Sequence, residues 1–511
     1  MRTTTVLDAL SAWSRRRPDA PALQDPDRSY SWRTLVEAQD RVASRLVATG
    51  VRPGDRVGIV GPLSADWAVA ALGVLRAGAI VCPLNERLGA FELKEVLDRV
   101  TPTLVVAAET HRAVLAGILQ APPILPLEGI EVVSGQTDLP DLARDPSRPA
   151  AIIPTSGSTG LPKGVVYTHP SMLGAFFEWT LQAPELVGAR ALNVSAFSFA
   201  AGLLNGLLGP LVLGGSVVLL PRWNPQTALE LIRDEEISTF AATTIFYEQM
   251  AALPEFAAAD LSSLTVAFTG GNPVTAELIA AWSTKGVGLR QAYGLTESSS
   301  NVTWPTVEQS IDSPESVGAG GILTRVVVTD ADGTPCAEGE PGEIRISGPG
   351  VAAGYWNDAD LTADTFGDGW LRTGDVGVVD AHGALRIVGR TKDMIISGGM
   401  NVYAAEVERA ALSLSGVLEV AVIGVPDDEF GEAPALLLRT AASPGTELDA
   451  DTVLAHCRQR LAAYKMPRYV VFSADPLPRT SSMKIDKAAL RLRHADIPTH
   501  HTRHGRKPQP A

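Results

Sequence analysis

The run Thr155-Ser156-Gly157-Ser158-Thr159-Gly160-Leu161-Pro162-Lys163-Gly164 packs four hydroxyls, three glycines and one lysine into ten residues. Those are the residue types that wrap a phosphate: backbone N–H groups free to converge, hydroxyl donors and a cation. It is not the ordinary P-loop, because Lys163 falls three residues after Gly160 and no Ser or Thr follows it. By composition alone it reads equally as a Gly/Ser-rich turn. Tyr293-Gly294-Leu295-Thr296-Glu297 offers a flat ring for a base and a carboxylate for a hard cation that shares phosphate oxygens. Standing alone, it is also a strand-end turn. Asp375, closing Trp370-Leu371-Arg372-Thr373-Gly374-Asp375, can accept from two adjacent hydroxyls, or simply cap a turn. Lys484 ends the polar run Pro478-Arg479-Thr480-Ser481-Ser482-Met483-Lys484, where an isolated lysine is by default a solvated one.

The elements that must position these residues show three textures. Short apolar runs alternate with helical stretches: Val57 to Val60, then Asp66 to Arg76, then Ala79 to Cys82. The alternation recurs at Thr103 to Ala107 after Ala90 to Arg99, at Ser216 to Leu220, at Ser238 to Ala241 after Thr227 to Glu235, and at Leu264 to Phe268. It is the signature of parallel strands with crossover helices, so the fold class is α/β. From about Val317 the segments Arg325 to Thr329, Gly342 to Ser347, Gly377 to Val379 and Ala384 to Val388 alternate between Gly and Pro turns, which predicts an antiparallel subdomain. Near Arg390 a compact α+β unit of about a hundred residues begins. The expected organisation is a large N-terminal domain over 1–389, a small C-terminal domain over 390–495, and a disordered tail over 496–511 with little to bury.

Bulk properties narrow the function. With 57 acidic and 43 basic residues and a net charge of -14, the 511-residue chain lacks the basic stripe of a nucleic-acid-binding protein. Cys82, Cys336 and Cys457 are too far apart for a zinc site and odd in number, and read as reduced thiols of a cytoplasmic protein. His500, His501 and His504 could hold a metal, but a solvated tail is the simpler reading. The apolar run Leu203 to Leu220 is cut by Asn205, Gly206, Pro210 and Gly214-Gly215, so it predicts a buried helix, a turn and a strand, with no membrane span.

In order along the chain, these motifs resemble the adenylate-forming superfamily of acyl-CoA synthetases, peptide-synthetase adenylation domains and beetle luciferases. The likeness spans about residues 20 to 490. It implies that Thr155, Ser156, Gly157, Ser158, Thr159, Gly160 and Lys163 wrap the β- and γ-phosphates of ATP. It implies that Tyr293 stacks on adenine beside Gly294, that Thr296 meets the α-phosphate, and that Glu297 holds Mg²⁺. Gly270, Gly271 and Asn272 would pass along the adenine and acyl pocket, while Asp375 and Arg390 would meet the ribose. Lys392 falls at the family's interdomain pivot, Gly398 and Gly399 on the face that meets the thiol acceptor, and Lys484 at the adenylation lysine. Met483 departs from the glycine usual before that lysine.

The implied cycle joins an acid to AMP with release of pyrophosphate, after which the small domain rotates and a thiol displaces AMP. The acid pocket is expected from Phe197, Ser198, Phe199 and Gly202, with Gly270 to Asn272 and the residues just after Glu297. No histidine near Phe199 and no aspartate near Ser198 is present, which disfavours an α-amino acid, because its ammonium would be buried without a carboxylate. Two phenylalanines suit an aryl, arylacrylic or medium-chain fatty acid, and equally suit core packing. CoA is the expected acceptor. A carrier-protein pantetheine thiol, a non-thiol nucleophile, an unusual oxyacid, a non-catalytic nucleotide-binding homologue and a homodimer all stay open at this point.

Overall fold

The computed structural model describes residues 4–118, 122–132, 139, 147–156, 162–271, 274–397, 400–427, 429–440, 448–480, 484–494 and 496–504. They form two compact units: residues 1–327 with 345–373, and residues 328–344 with 374–511.

The larger unit is built on two seven-stranded sheets. In one, the spatial order is Leu289–Gln291, Val266–Gly270, Thr239–Thr243, Arg190–Asn193, Ser216–Leu219, Pro21–Gln24 and Ser29–Ser31, parallel except for the last pair. In the other, Arg56–Val60, Ile80–Leu84, Leu104–Ala107 and Ile124–Pro126 run parallel. Pro149–Ser156 continues that sheet beside Ile80–Leu84, followed by the antiparallel strands Pro162–Thr168 and Gly354–Tyr355. The alternation of apolar runs and helices thus resolves as crossover units. Strand Ile80–Leu84 is buried throughout, as expected of a parallel strand covered on both faces. Helix Ala65–Arg76, capped by the Ser64 side chain, buries ten of its residues.

Because the strands of the first sheet are parallel, the carboxyl ends Asn193, Thr243, Gly270 and Gln291 fall on one edge. That is where open α/β sheets hold ligands. The segments beginning at Ser195, Gly270 and Tyr293 all leave from this edge. Beyond Asn193 the expected buried helix contains π-helical turns over Ala201–Leu208, and Gly209 N–H reaches the Leu204 carbonyl five residues back. Wide turns of this kind concentrate at functional sites. Among the described residues no helix is long and apolar enough to cross a membrane.

The smaller unit carries a sheet in which the long strands Val417–Asp427 and Gly431–Thr440 pair antiparallel, Tyr469–Phe472 joins the latter in parallel, and Met394–Ser397 pairs with Met400–Tyr403. Alternate residues of Val417–Asp427 point to two cores. Val420 and Val422 pack with Val407 and Val453, whereas Ala421 and Ile423 pack with Leu490 and Ile497.

Two expectations about organisation are corrected. The compact units part at 373–374, not at 389–390, and 328–344 goes with the smaller unit. The reason is packing: the hairpin of Leu371–Val379 with Leu385–Arg390 buries Val376, Val378 and Val388 against Tyr403, and Arg409 Nη2 donates to the Ile387 carbonyl at 2.7 Å. Nor is the end of the chain a disordered tail from 496. Ile497 is fully buried, and Arg503 donates to both Asp427 oxygens at 2.7 and 3.1 Å. Residues 505–511 lie outside the described residues. Cys82 and Cys457 are buried and all three cysteines are free thiols.

Candidate active site

The phosphate-type loop is a hairpin connection. Strand Pro149–Ser156 pairs with Pro162–Thr168, with Thr155 opposite Lys163 and Ser156 opposite Pro162. Gly157, Ser158, Thr159 and Gly160 lie outside the described residues. Lys163 is therefore the second residue of a strand, and its Nζ sits over the Tyr355 ring at 5.0 Å from the centroid.

The Tyr293–Glu297 segment is held by its surroundings. Ala292 N–H donates to the Thr269 carbonyl at 2.9 Å, which sets it beside Gly270, and Tyr293 N–H donates to Thr303 Oγ1 at 2.9 Å. Gly294 and Leu295 pair with Asn301 and Ser300, and Thr296–Ser298 makes one 3₁₀ turn. Ser299 and Ser300 then adopt left-handed φ values of 58° and 78°. Two consecutive non-glycine residues in that region store strain, which structures tolerate mainly at functional sites. The Ser299 hydroxyl is anchored on the Gly350 carbonyl at 2.5 Å, and Asn205 Nδ2, from the π-helical turns, donates to Ser300 Oγ at 2.9 Å.

Two tyrosines tie this turn to the loop strands. Tyr167 donates its hydroxyl to the Thr296 carbonyl, and Tyr355 donates its own to Glu297 Oε1 at 2.8 Å. Burial, with the neighbouring Glu297 carboxylate, pushes the Tyr355 phenol up, so it stays protonated as a donor. Ala352 N–H holds the Glu297 carbonyl at 2.9 Å. Lys163 thus converges with Thr296 and Glu297, which lie far from it in the chain. Neither tyrosine stood out in the sequence, because a single aromatic carries no local signal of a partner more than fifty residues away; Asn205 read only as a polar break in an apolar run, and Ser299 and Ser300 only as residues just after Glu297.

Of the expected acid-pocket residues, Phe197 is buried with its ring 4.9 Å from that of Trp67, so it belongs to the main core. Ser198 is buried and Phe199 half-buried. A Cβ on Gly202 would come within 2.1 Å of the Ala196 carbonyl, so glycine lets the 195–202 segment fold tightly onto itself. Gly271 adopts φ 85° at the end of its strand, and Asn272 lies outside the described residues.

In the smaller unit, Asp375 and Arg390 face each other across the hairpin, and Arg390 Nε donates to Asp375 Oδ1 at 2.6 Å. Asp375 is buried and Arg390 is partly exposed. The backbone of Lys392 lies in the short turn Thr391–Asp393. Gly398 and Gly399, between the paired Ser397 and Met400, lie outside the described residues. Lys484 closes a small loop: Thr480 N–H donates to its carbonyl at 2.8 Å, Asp486 N–H to that of Pro478 at 2.7 Å, and its side chain is exposed. The base of that loop is fastened by Glu419, which accepts from Arg479 at 2.5 Å, Arg439 at 2.9 Å and Leu477 N–H at 3.0 Å. Burial works to raise the Glu419 carboxyl, but these donors outweigh it and hold it below the usual range.

Glu297 is one carboxylate, and no group of three or more His, Cys, Asp or Glu gathers among the described residues. That donor set suits Mg²⁺, which takes most of its ligands from phosphates and water rather than from a protein cage.

Residues 10–356 match the model of the AMP-binding enzyme family, and 406–484 that of the AMP-binding enzyme C-terminal domain. Over 95% of this chain and 99% of the relative, the sequence is 36% identical to a feruloyl-CoA synthase of Amycolatopsis. It is 34% identical to a long-chain-fatty-acid–CoA ligase of Mycobacterium tuberculosis, covering 89% of this chain and 91% of that one. The fold is similar to ATP-bound MatB from Rhodopseudomonas palustris, with TM-score 0.86 at 28% identity over 97% and 100% of the two chains. It is also similar to o-succinylbenzoate CoA synthetase of Bacillus subtilis in complex with its acyl-adenylate, with TM-score 0.84 at 27% identity over 94% and 97%.

Proposed function

This chain belongs to the AMP-binding enzyme family, and from that premise we propose how its own residues activate an acid and which acids they take. The protein is an AMP-forming acid–CoA ligase that uses ATP to make an acyl adenylate and then passes the acyl group to CoA. The observation that carries the residue assignment is the convergence of Lys163, Thr296 and Glu297, tied together through Tyr167 and Tyr355.

In the first step a carboxylate oxygen bonds to the α-phosphorus as the bond to pyrophosphate breaks. Two anions approach, so the barrier is largely electrostatic. Lys484 bridges the acid carboxylate and the α-phosphate, and Thr296 orients that phosphate. Thr155, Ser156, Gly157, Ser158, Thr159, Gly160 and Lys163 hold the departing phosphates. Glu297 would hold Mg²⁺, which when bound supplies positive charge to the leaving group. Tyr293, Gly294, Gly270, Gly271 and Asn272 line the adenine side, and Asp375 with Arg390 the ribose. In the second step the CoA thiolate attacks the acyl carbon and AMP leaves. The pivot at Lys392 and the Gly398-Gly399 face serve this step, because one site used twice needs a hinge between two states.

The acid is aryl, arylacrylic or medium-chain aliphatic. Phe199 carries the apolar share of that pocket with Ser198 and Gly202, since the Phe197 ring is already spent on Trp67. A relative described as feruloyl-CoA synthase supports the arylacrylic part of this class, and one described as a long-chain-fatty-acid–CoA ligase supports an apolar acid in general. The same reading places the enzyme in the cytoplasm, where ATP and CoA are supplied.

The test is pyrophosphate release from Mg-ATP with a panel of such acids, with and without CoA, for the protein and its Lys484→Ala variant. Removing the lysine costs about 4 kcal/mol of barrier, a factor of about a thousand. Pyrophosphate that appears with one acid, turns over rapidly only with CoA and vanishes in the variant supports the reading. Release that Lys484→Ala leaves intact refutes the assignment of the lysine, and failure of every acid refutes the substrate class.

A further inference from the structure

We infer that Tyr355 is a positioning residue for adenylation, holding the Glu297 carboxylate and the Lys163 ammonium at a set spacing without neutralising either; this rests on the roles given above to those two residues. Three separate segments are involved. Lys163 is the second residue of strand Pro162–Thr168, Glu297 sits in the turn Thr296–Ser298, and Tyr355 lies in the short strand Gly354–Tyr355.

The backbone of Tyr355 moves with the lysine's strand. It pairs with Val165, Ala353 N–H donates to the Val166 carbonyl at 2.9 Å, and Trp356 N–H to that of Gly164 at 2.7 Å. Its own N–H is fixed on Thr362 Oγ1 at 2.9 Å, and its ring packs 5.3 Å from that of Phe366. The ring and hydroxyl then do different work. The face attracts the Lys163 ammonium at 5.0 Å, and the hydroxyl donates to Glu297 Oε1 at 2.8 Å.

The chemistry of the contact matters more than its strength. An arginine or lysine in place of the phenol would cancel the carboxylate's charge and compete with a metal ion for it. A neutral O–H orients the carboxylate and leaves its negative charge for a cation, as outer-shell donors do at metal sites. In the same way, a ring face attracts an ammonium through its quadrupole without carrying a countercharge. The Ala352 N–H contact fixes only the backbone of Glu297. The phenol fixes the carboxylate itself.

Tyr355→Phe keeps the ring and deletes the donor. Three readouts separate positioning from a structural role: the Mg²⁺ concentration for half-maximal pyrophosphate release, the affinity for Mn²⁺ with a non-hydrolysable ATP analogue by electron paramagnetic resonance, and the rate at which pre-formed acyl adenylate is consumed by CoA. The expected result is a 10- to 100-fold weaker response to metal in the first two, about the span lost when an outer-shell partner is removed, with the third within twofold of the parent protein. Equal losses in both half-reactions, or an unchanged metal response, overturn the inference. Glu297→Gln distinguishes the underlying reading. If it too leaves the metal response unchanged, the role of Glu297 is wrong; if it abolishes the response while Tyr355→Phe does not alter it, only the inference about Tyr355 fails. In the Glu297→Gln background, Tyr355→Phe should add nothing.

Discussion

A single methyl group at Gly294 tests whether the Tyr293–Glu297 turn is as tightly determined as its geometry says. A Cβ built there lies 1.5 Å from the Ser300 carbonyl oxygen, 2.4 Å from its carbon and 2.9 Å from Asn301 Cα, all backbone atoms. Ordinary contact is about 2 Å farther out, so one strand of the Gly294–Asn301 pair must move. Ser300 cannot yield easily, because it already sits at positive φ next to Ser299, whose hydroxyl is anchored on Gly350, and its own hydroxyl is held by Asn205. The displacement therefore falls largely on the 294 side, three residues from Glu297. Gly294→Ala should cost about 1–3 kcal/mol of stability, in the range of other overpacking substitutions. A shift of about 1 Å in the turn should lower the rate about a hundredfold, since misplaced catalytic groups lose that much. Pyrophosphate release and chemical denaturation of the purified variant measure the two effects. A folded Gly294→Ala enzyme that keeps more than about a tenth of the parent rate would mean that the turn is not positioned in this way.

Other substitutions probe sites away from the chemistry. Gly117 lies in helix Glu109–Ile118 with nothing within 4 Å of an added Cβ, so Gly117→Ala should leave the rate unchanged and stabilise by about 0.5–1 kcal/mol in denaturant melts. His169 is held at about 4, chiefly by burial. Its folded value lies below the unfolded one near 6.5, so the stability it contributes is complete above about pH 6.5 and is lost as pH falls toward 4; His169→Gln should flatten that part of the pH–stability curve. Asp427 is held at about 2, first by hydrogen bonds from Arg503. Its contribution is present above about pH 4 and lost as pH falls toward 2, so Arg503→Ala should destabilise by about 2–3 kcal/mol at neutral pH, with the gap to the parent protein closing in acid.

The parts of the fold legible in sequence were those written in local pattern. Apolar runs such as Val57 to Val60 and Ala79 to Cys82 announce parallel strands because burial on both faces leaves no polar alternation, and they fall in the strands Arg56–Val60 and Ile80–Leu84. The loop at Thr155–Gly164 and the turn at Tyr293–Glu297 stood out as candidates because a phosphate- or base-binding segment would need such residue types within a few positions of each other. Phe197 was ambiguous for the opposite reason. An apolar ring serves a pocket or a core equally well, and only its contact with Trp67 assigns it to the core.

The division of the chain was harder to read, because texture changes near Arg390 whereas packing joins the preceding hairpin to Tyr403 and Arg409. The end of the chain misled in a similar way. Among His, Arg, Lys and Pro a single isoleucine scarcely alters composition, yet Ile497 fills the second core of the smaller unit, and Arg503 meets an aspartate 76 residues earlier.

The amino-acid order by itself determined the α/β class, the family and the chemical types at the site, since each depends on periodicity or on motifs of a few consecutive residues. Tertiary structure alone decided that Tyr355 reaches Glu297 from 58 residues away, that Asn205 meets Ser300 from 95, and that Glu419 fastens the base of the Lys484 loop from 60. Those partnerships follow from strand register and from the meeting of distant loop ends, which are set by the summed burial of the whole unit and leave no trace in the neighbouring residues.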